Sequence, residues 1–119
     1  MIASVAGYAQ GKKDPAKTLR HVVMFKFKDT SPPAEIKKIE DAFVALEKKI
    51  KLIKDFEWGN NNSSTSGELN QGLTHCFLVT FKSEEDLKAY LIHPDHKAFV
   101  ELMGPHMDKI TVVDYWVKN

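Results

Sequence analysis

The sequence predicts one α+β domain in which an antiparallel sheet carries helices on one face. Three observations support this prediction: two segments that alternate between apolar and polar residues, one long segment with apolar residues at helical spacing, and a length of 119 residues that suits a single core. The hydrophobic content of 43% is ordinary for a globular protein, so a packed core is expected.

The first two elements are a strand and a long helix. Residues 19–28 alternate with the period of two of a β-strand, and His21, Val23, Phe25 and Phe27 share one face. The segment DTSPP at residues 29–33 then supplies a cap and prolines suited to a helix start. Steps of three and four define one apolar stripe along the helix, formed by Ile36, Ile39, Phe43, Leu46, Ile50 and Ile53.

A short strand, a loop and a third strand come next. Phe56 and Trp58 alternate with small or polar neighbours, which predicts a short strand. Residues 60–72 are polar and turn-rich and are predicted to form a loop. Residues 73–81 alternate again, and their helix-facing members are His75, Phe77, Val79 and Phe81.

The last third of the chain predicts further helix and a final strand. Ser83 and Asp86 resemble a capping box with Asp in place of Glu or Gln, and the helix they open ends near Leu91. A second helical stretch occupies residues 94–104, and residues 110–117 form the last strand. The order β-α-β-β-α-β is the ferredoxin-like arrangement, with helices on one face of a mostly antiparallel sheet.

The opposite face of the sheet is too apolar to meet water. A solvated face of an antiparallel sheet is normally polar, but this one carries Val22, Met24, Cys76, Leu78, Val113, Tyr115 and Val117. An exposed patch of this kind indicates an interface. The sequence therefore predicts a homodimer about a twofold axis through the sheet face, with Cys76 as a small apolar residue of that face.

Charge and cysteine content bear on other partners. Seventeen basic and sixteen acidic residues give a net charge of +1, which offers no argument for nucleic acid. No apolar run approaches the ~20 residues that span a bilayer. One cysteine rules out an intramolecular disulfide and the usual zinc spacings. Neither nucleic acid nor a membrane is expected as a partner.

Residues 1–18 are predicted to be an N-terminal tail, and residues 19–119 the domain. The start of the tail is apolar and small, but it lacks the basic region and the apolar stretch of ~7–15 residues found in signal peptides. A cytoplasmic location is expected if Met1 is the true start. The alternative is an exported or periplasmic protein in which the tail is the remnant of a signal that begins upstream.

Polar residues that interrupt the helix-facing rows define a candidate site. His21 and His75 stand among Val and Phe on two strands. Asp114 shares a face with Val112 and Trp116 and could fix an imidazole tautomer. His96 falls near the third position of a helix, where the helix dipole disfavours imidazolium, so its ring could accept a proton at pH 7. Tyr90 could approach His96 across the preceding corner and polarise a carbonyl.

The same residues also allow a structural interpretation. His93 would cap the following helix, His96 would be a partly exposed helix residue, and Tyr90 a core residue with a satisfied hydroxyl. A metal site of His93, His96 and His75 is a weaker hypothesis, because histidines three apart on a helix are common. Nucleophilic catalysis by Cys76 is not expected, since His75 points to the other face.

Several segments resemble the stress-responsive dimeric A/B barrel family. They are HVVMFKFK at residues 21–28, Trp58-Gly59, Thr74-His75, YLIHPDH at residues 90–96 and Asp114-Tyr115, and the resemblance spans roughly residues 19–117. The His-Pro-x-His element is the most specific of them. The resemblance implies a ferredoxin-like fold whose sheets pack into a shared α/β barrel across a dimer, and it does not by itself imply a reaction.

One branch of this family consists of plant polyketide cyclases that perform an intramolecular aldol condensation without metal or cofactor. Similarity to that branch implies Tyr90 and His96 as a catalytic pair and His21 and His75 as pocket residues. The chain departs from the branch at the wall that shapes the substrate, where a tyrosine, two phenylalanines and a tryptophan are replaced by Phe43, Ile39, Glu40 and Met107.

Three functional hypotheses follow. The first is a homodimeric member of the family with a stress-related or accessory role and a pocket for a small apolar or phenolic ligand, with no assignable reaction. The second is a cofactor-independent cyclase or lyase that uses Tyr90 and His96. The third is a cofactor-free, monooxygenase-like enzyme. No metal or cofactor is expected, and the predicted binding residues are His21, His75, Phe43, Phe99 and Asp114.

Overall fold

The structure is a computed structural model that describes residues 18–118. The interpretations of residues 1–17 therefore lie outside the described residues. In chain order the elements are β1 Leu19–Phe27, α1 Pro33–Lys49, β2 Asp55–Asn60, α2 Ser63–Ser66, a 3₁₀ turn Gly67–Asn70, β3 His75–Phe81, α3 Glu84–Leu91, α4 Pro94–Met103, a second 3₁₀ turn Gly104–His106 and β4 Met107–Trp116.

The four strands form one antiparallel sheet in the order β2-β3-β1-β4. This is the ferredoxin-like order that the sequence predicts. Directly opposite residues of an antiparallel pair share a face, and His21 lies opposite Val79 on one side and Asp114 on the other. The strand register therefore brings two of the predicted site residues together.

The helices pack on the predicted face of the sheet. Phe25, Phe77 and Phe81 of the central strands are fully buried, and Ile39 and Phe43 of α1 belong to the same core. Burial of each such side chain contributes roughly 1.5–3 kcal/mol to stability. This layer is therefore the main source of stability, and it holds the strands in a fixed register.

Helix α1 differs from its prediction at both ends. Its N-cap residue is Pro32, whose side chain has no acceptor for a cap hydrogen bond, and the hydroxyl of the preceding Ser31 contacts Nδ1 of His106 at 3.0 Å. The helix ends at Lys49, so Ile50 and Ile53 lie beyond it, although both are buried. Their apolar spacing reflects burial in the core after the helix has ended.

Three other boundaries also differ. The predicted loop at residues 60–72 contains two short helical turns, because Asn62 accepts hydrogen bonds from the backbone and the hydroxyl of Ser64 at 3.2 and 2.7 Å and so opens α2. Strand β3 begins at His75, two residues later than predicted. Strand β4 begins at Met107, because its pairing with β1 continues past an irregularity in the register.

Two side-chain caps mark the starts of α3 and α4. Oγ of Ser83 accepts from the backbone N–H of Asp86 at 3.1 Å, which is half of the predicted capping box. Nδ1 of His93 accepts from the backbone N–H of Asp95 at 3.1 Å, so His93 does cap α4. The corner between the two helices brings the end of α3 close to the start of α4.

The outer face of the sheet is the face opposite the helices, and it is apolar as predicted. Val113 and Tyr115 of β4 are 48% and 44% exposed on it, and Val22, Met24 and Leu78 lie half-buried beside them. Among residues 18–118, no helix is both long and apolar enough to cross a membrane.

Candidate functional site

A small cavity lies between the helix-facing side of the sheet and the corner of α3 and α4. We call it the Tyr90 pocket; its volume is about 200 Å³. Among residues 18–118, no Lys, Arg, Asp or Glu lines it. Five of the seven predicted site residues do, namely His21, Phe43, Tyr90, His96 and Phe99, together with Val23, Leu91, Val100, Met103, Ile110 and Val112.

Tyr90 is fully buried, and its hydroxyl has no hydrogen-bond partner among the described residues. Leaving a buried hydroxyl unsatisfied costs about 1–3 kcal/mol, so this group is an exception among buried polar groups. Burial raises the pKa of Tyr90, which keeps the phenol protonated at neutral pH. The hydroxyl is thus an unused hydrogen-bond donor on a residue that lines the pocket.

His96 is the third residue of α4, and its ring centroid lies 4.5 Å from that of Tyr90. Nδ1 of His96 lies 3.1 Å from the carbonyl oxygen of Leu91. A carbonyl only accepts, so Nδ1 carries a proton and the neutral ring has its lone pair on Nε2.

The pKa of His96 is lowered, as the sequence predicts, although the main cause differs. Burial lowers this pKa most, the hydrogen bond to Leu91 opposes the change, and the nearby His21 and His93 lower the pKa further. The prediction relied on the helix dipole instead. The ring is therefore neutral at pH 7 and able to accept a proton.

His21 is buried and contacts Asp114 across the β1–β4 pairing, with Nδ1 and Oδ1 separated by 2.6 Å. The carboxylate accepts, so Nδ1 of His21 donates. The contact predicted for Asp114 is thus present. Asp114 itself does not line the Tyr90 pocket; its side chain is 41% exposed and reaches the pocket only through His21. The rings of His21 and Tyr90 lie edge to face at 6.0 Å.

His75 does not line the Tyr90 pocket, which corrects the prediction that it converges there with Tyr90 and His96. His75 pairs with Phe25 of β1, four residues along the strand from His21. At about 3.3 Å per residue, the two backbones are roughly 13 Å apart along β1. The alternation in the two strands correctly predicted that both histidines face the helices. It did not predict how far apart they lie along the sheet.

Both ring nitrogens of His75 have partners. Nε2 lies 2.7 Å from Oε2 of Glu40 on α1, and Nδ1 lies 2.8 Å from Oγ1 of Thr74. The ring also stacks with Phe25 at 5.3 Å and with Trp58 at 6.1 Å. Glu40 was visible in the sequence only as a departure from the cyclase branch. Its contact with His75 joins α1 to β3, and the periodicity of each segment alone does not predict which residues pair between them.

The metal hypothesis gains no support within residues 18–118. No three of their His, Cys, Asp and Glu side chains lie close enough together to hold a metal ion. His93 caps α4, His96 bonds to Leu91 and His75 bonds to Glu40. The three histidines of that hypothesis therefore serve three separate contacts.

Comparison with known proteins decides the family. A family model described as the stress responsive A/B barrel domain matches residues 19–117, nearly all of the described chain. The chain belongs to the stress-responsive A/B barrel domain family. The resemblance carried by the His-Pro-x-His element and the strand order is thereby confirmed.

Two curated members of the family illustrate its range. The chain is 35% identical over 97 residues to stress-response A/B barrel domain-containing protein HS1 of Arabidopsis thaliana, which covers 82% of this chain and 87% of that protein. It is 32% identical over 97 residues to olivetolic acid cyclase of Cannabis sativa, covering 82% of this chain and 94% of the cyclase.

Solved structures agree with the fold. The Arabidopsis thaliana protein At3g17210 matches with a TM-score of 0.77 and 33% identity, over 85% of this chain and 96% of that chain. A ferredoxin-like protein from Bacteroides fragilis, described as dimeric, matches at 0.68 and 28%, over 85% and 97%. The hydroxynitrile lyase of Passiflora edulis matches at 0.78 with 23% identity, over 88% and 97%, which shows the fold alone.

Proposed function

We propose that the Tyr90 pocket is an acid–base site that closes a carbonyl compound by intramolecular aldol chemistry. The observation that carries this proposal is the buried, unpartnered hydroxyl of Tyr90 next to a neutral His96. A base beside an unused donor, in a mostly apolar pocket, is what enolate formation requires.

The proposed intramolecular aldol addition needs no reactant besides the substrate, because His96 returns the proton that it removes. Nε2 of His96 removes a proton from the carbon next to a carbonyl, and the electron pair of the broken C–H bond forms an enolate. The hydroxyl of Tyr90 donates a hydrogen bond to the enolate oxygen. The enolate carbon attacks a second carbonyl of the same molecule, a C–C bond forms, and the imidazolium of His96 returns the proton to the new alkoxide.

The walls of the pocket define the ligand class. Phe43 and Phe99 are apolar, and the part of the chain that the structure describes places no Lys, Arg, Asp or Glu side chain along the pocket. The proposed ligand is therefore a small neutral molecule with an apolar or phenolic body and a carbonyl that reaches Tyr90. The contact of Asp114 with His21 orients the imidazole at the pocket wall, which makes Asp114 a positioning residue.

The relative at 32% identity supports an enzymatic function, because its printed name is that of a cyclase. The pair Tyr90 and His96 matches the catalytic pair that the cyclase branch implies. Phe43 and Glu40 stand where that branch has other residues, so the proposed substrate of this chain differs in shape from olivetolic acid precursors.

The test measures exchange of the protons next to a carbonyl in heavy water, with acetophenone and cyclohexanone as probes followed by NMR. Replacing His96 with Gln should slow exchange by ~10²–10⁴-fold, and Tyr90→Phe should slow it while leaving the fold intact. Lys97→Gln, on the exposed side of α4, is the control and should exchange at the wild-type rate. Exchange that survives His96→Gln, or a wild-type rate no faster than buffer, contradicts the proposal.

We also propose that the protein is a homodimer through the outer face. The support is the exposure of Val113 and Tyr115 on that face, and the description of the Bacteroides fragilis neighbour as dimeric. Leu78→Lys would place a charge in this interface and should yield monomers in sedimentation experiments. Val44→Lys changes an exposed residue of α1 and should remain dimeric. A stable Leu78→Lys dimer would move the interface elsewhere.

A further inference from the structure

His21 brings a third polar group to the Tyr90 pocket, besides the hydroxyl of Tyr90 and the ring of His96. The side chain of His21 is buried, and its ring lies edge to face with that of Tyr90, with 6.0 Å between the ring centroids. His21 also interacts electrostatically with His96. One small ligand in the pocket can therefore contact all three side chains.

The contact with Asp114 decides which nitrogen of His21 is left for a ligand. Nδ1 donates its proton to Oδ1 of Asp114 at 2.6 Å. Nε2 has no hydrogen-bond partner within the described residues. In the neutral ring with its proton on Nδ1, the lone pair is on Nε2, so this nitrogen accepts hydrogen bonds and cannot donate them. His21 therefore gives the pocket an unused acceptor.

The unused donor and the unused acceptor belong to different residues. The hydroxyl of Tyr90 can donate to a carbonyl of a ligand, whereas Nε2 of His21 needs a ligand that donates. A ligand with a carbonyl alone would leave Nε2 of His21 buried without a partner, which weakens binding. Sites with such a group discriminate strongly between a ligand that has a hydroxyl and an analogue that lacks it.

We propose that His21 selects carbonyl compounds that also carry a hydroxyl group, which donates to Nε2 of His21 while the carbonyl accepts from Tyr90. This assignment rests on the proposed function for the position of the carbonyl at Tyr90. An apolar cavity of ~150 Å³ holds a benzene ring, so the pocket of about 200 Å³ suits one ring with two short substituents. The ligand class is therefore a single-ring hydroxy ketone, and Asp114 acts on its selection through His21.

Calorimetry with intact protein at pH 7, where a phenol keeps its proton, measures this selection. The ligands are meta- and para-hydroxyacetophenone, their two methoxy counterparts and acetophenone. A methoxy group keeps the oxygen but cannot donate a hydrogen bond. At least one hydroxy isomer should bind about tenfold more tightly than its methoxy counterpart and than acetophenone. If neither hydroxy isomer binds, or neither is preferred, the proposal is overturned.

Two variants test whether His21 causes the preference. His21→Phe keeps an aromatic ring beside Tyr90 but removes the acceptor, so hydroxy and methoxy compounds should bind equally. Asp114→Asn changes a side chain that is 41% exposed and so spares the core. Its amide can donate as well as accept, which allows the proton of His21 to move to Nε2, and the preference should fall toward that of His21→Phe. Asp95→Asn, a similarly exposed carboxylate at the start of α4, is the control and should keep the wild-type preference.

Tyr90→Phe tests the carbonyl end of the ligand. It should weaken binding of all five compounds and leave the ratio of hydroxy to methoxy affinity unchanged. A ratio that survives in His21→Phe, or that falls as much in Asp95→Asn as in Asp114→Asn, overturns the role of His21. Proton exchange is followed on the same compounds. A hydroxyl preference without exchange above buffer would end the aldol proposal and leave the selection by His21 standing, whereas exchange without a hydroxyl preference would do the reverse.

Discussion

Two histidines on the helix-facing side of this domain have opposite surroundings. At His75, both ring nitrogens have protein partners, Glu40 and Thr74, at 2.7 and 2.8 Å. At His96, one nitrogen bonds to the backbone, and the neighbouring Tyr90 has a buried hydroxyl with no partner. Both ring nitrogens of His75 are therefore occupied by protein partners, whereas the hydroxyl of Tyr90 beside His96 has no partner among the described residues.

The difference between the paired His75 and the unpaired Tyr90 hydroxyl distinguishes a residue that stabilises the fold from a candidate ligand-binding residue. A buried polar group with all its partners stabilises the fold, while a buried group without a partner reduces stability unless a ligand supplies the missing bond. If an apolar replacement of a residue would raise the free energy of unfolding of the ligand-free protein, that residue is a candidate for retention by function. By this criterion His75 and Glu40 are structural, and Tyr90 is a candidate site residue.

The largest expected effect tests the structural side of this comparison. Replacing Glu40 with Leu removes the carboxylate from Nε2 of His75 and should lower the free energy of unfolding by about 2 kcal/mol, as expected for a partly buried hydrogen bond to a charged group. Urea denaturation measures the change. Glu47→Leu, an exposed position on the same helix, should change stability by less than about 0.5 kcal/mol. Equal losses in the two variants would show that the Glu40 contact contributes nothing.

Most of the fold was predictable from the sequence because it rests on local periodicity. Alternation in residues 19–28 and 73–81 gave the two central strands, and spacing gave α1. The predicted element boundaries are wrong where a contact with a residue distant in sequence determines the local structure. Ser31 contacts His106, which lies 75 residues away, and β4 is extended to Met107 by its pairing with β1.

The site was predictable in part for the same reason. The residues of the Tyr90 pocket lie on predicted elements, and the Tyr90–His96 corner is a short-range feature of the chain. The position of His75 was not predictable, because alternation reports which face a residue occupies and not how far along the strand it lies. The partner of His75 was hidden as well, since Glu40 lies 35 residues away from it.

A smaller change in the free energy of unfolding, a gain rather than a loss, tests whether the hydroxyl of Tyr90 is unpartnered. Tyr90→Phe removes a hydroxyl that has no partner, so the free energy of unfolding should rise by about 1 kcal/mol. Thr74→Val is the matched comparison, because it removes a hydroxyl that contacts His75 at 2.8 Å and the carbonyl of Phe25 at 3.3 Å. That variant should lose about 1 kcal/mol. A Tyr90→Phe protein that is as destabilised as Thr74→Val would mean that the Tyr90 hydroxyl is satisfied in solution, and the comparison would fail.

The smallest effect is the pH dependence that His96 contributes. Its pKa in the folded protein lies below the ordinary value of 6.5, chiefly because of burial. The unfolded chain therefore binds a proton at His96 at a higher pH than the folded chain does. Stability from this group is fully present above pH 6.5 and falls as the pH drops through the interval below it.

Urea denaturation between pH 8 and pH 5, in the wild type and in His96→Gln, isolates this contribution. His21 and His93 interact electrostatically with His96, so the difference between the two proteins reports the imidazole of His96 together with these interactions. His96→Gln should lose less stability than the wild type as the pH falls. If the two proteins lose the same amount, the imidazole of His96 has an ordinary pKa. His96 would then be partly protonated near neutral pH, and its role as a neutral base next to Tyr90 would have to be abandoned, while His75 and Glu40 would keep their structural role.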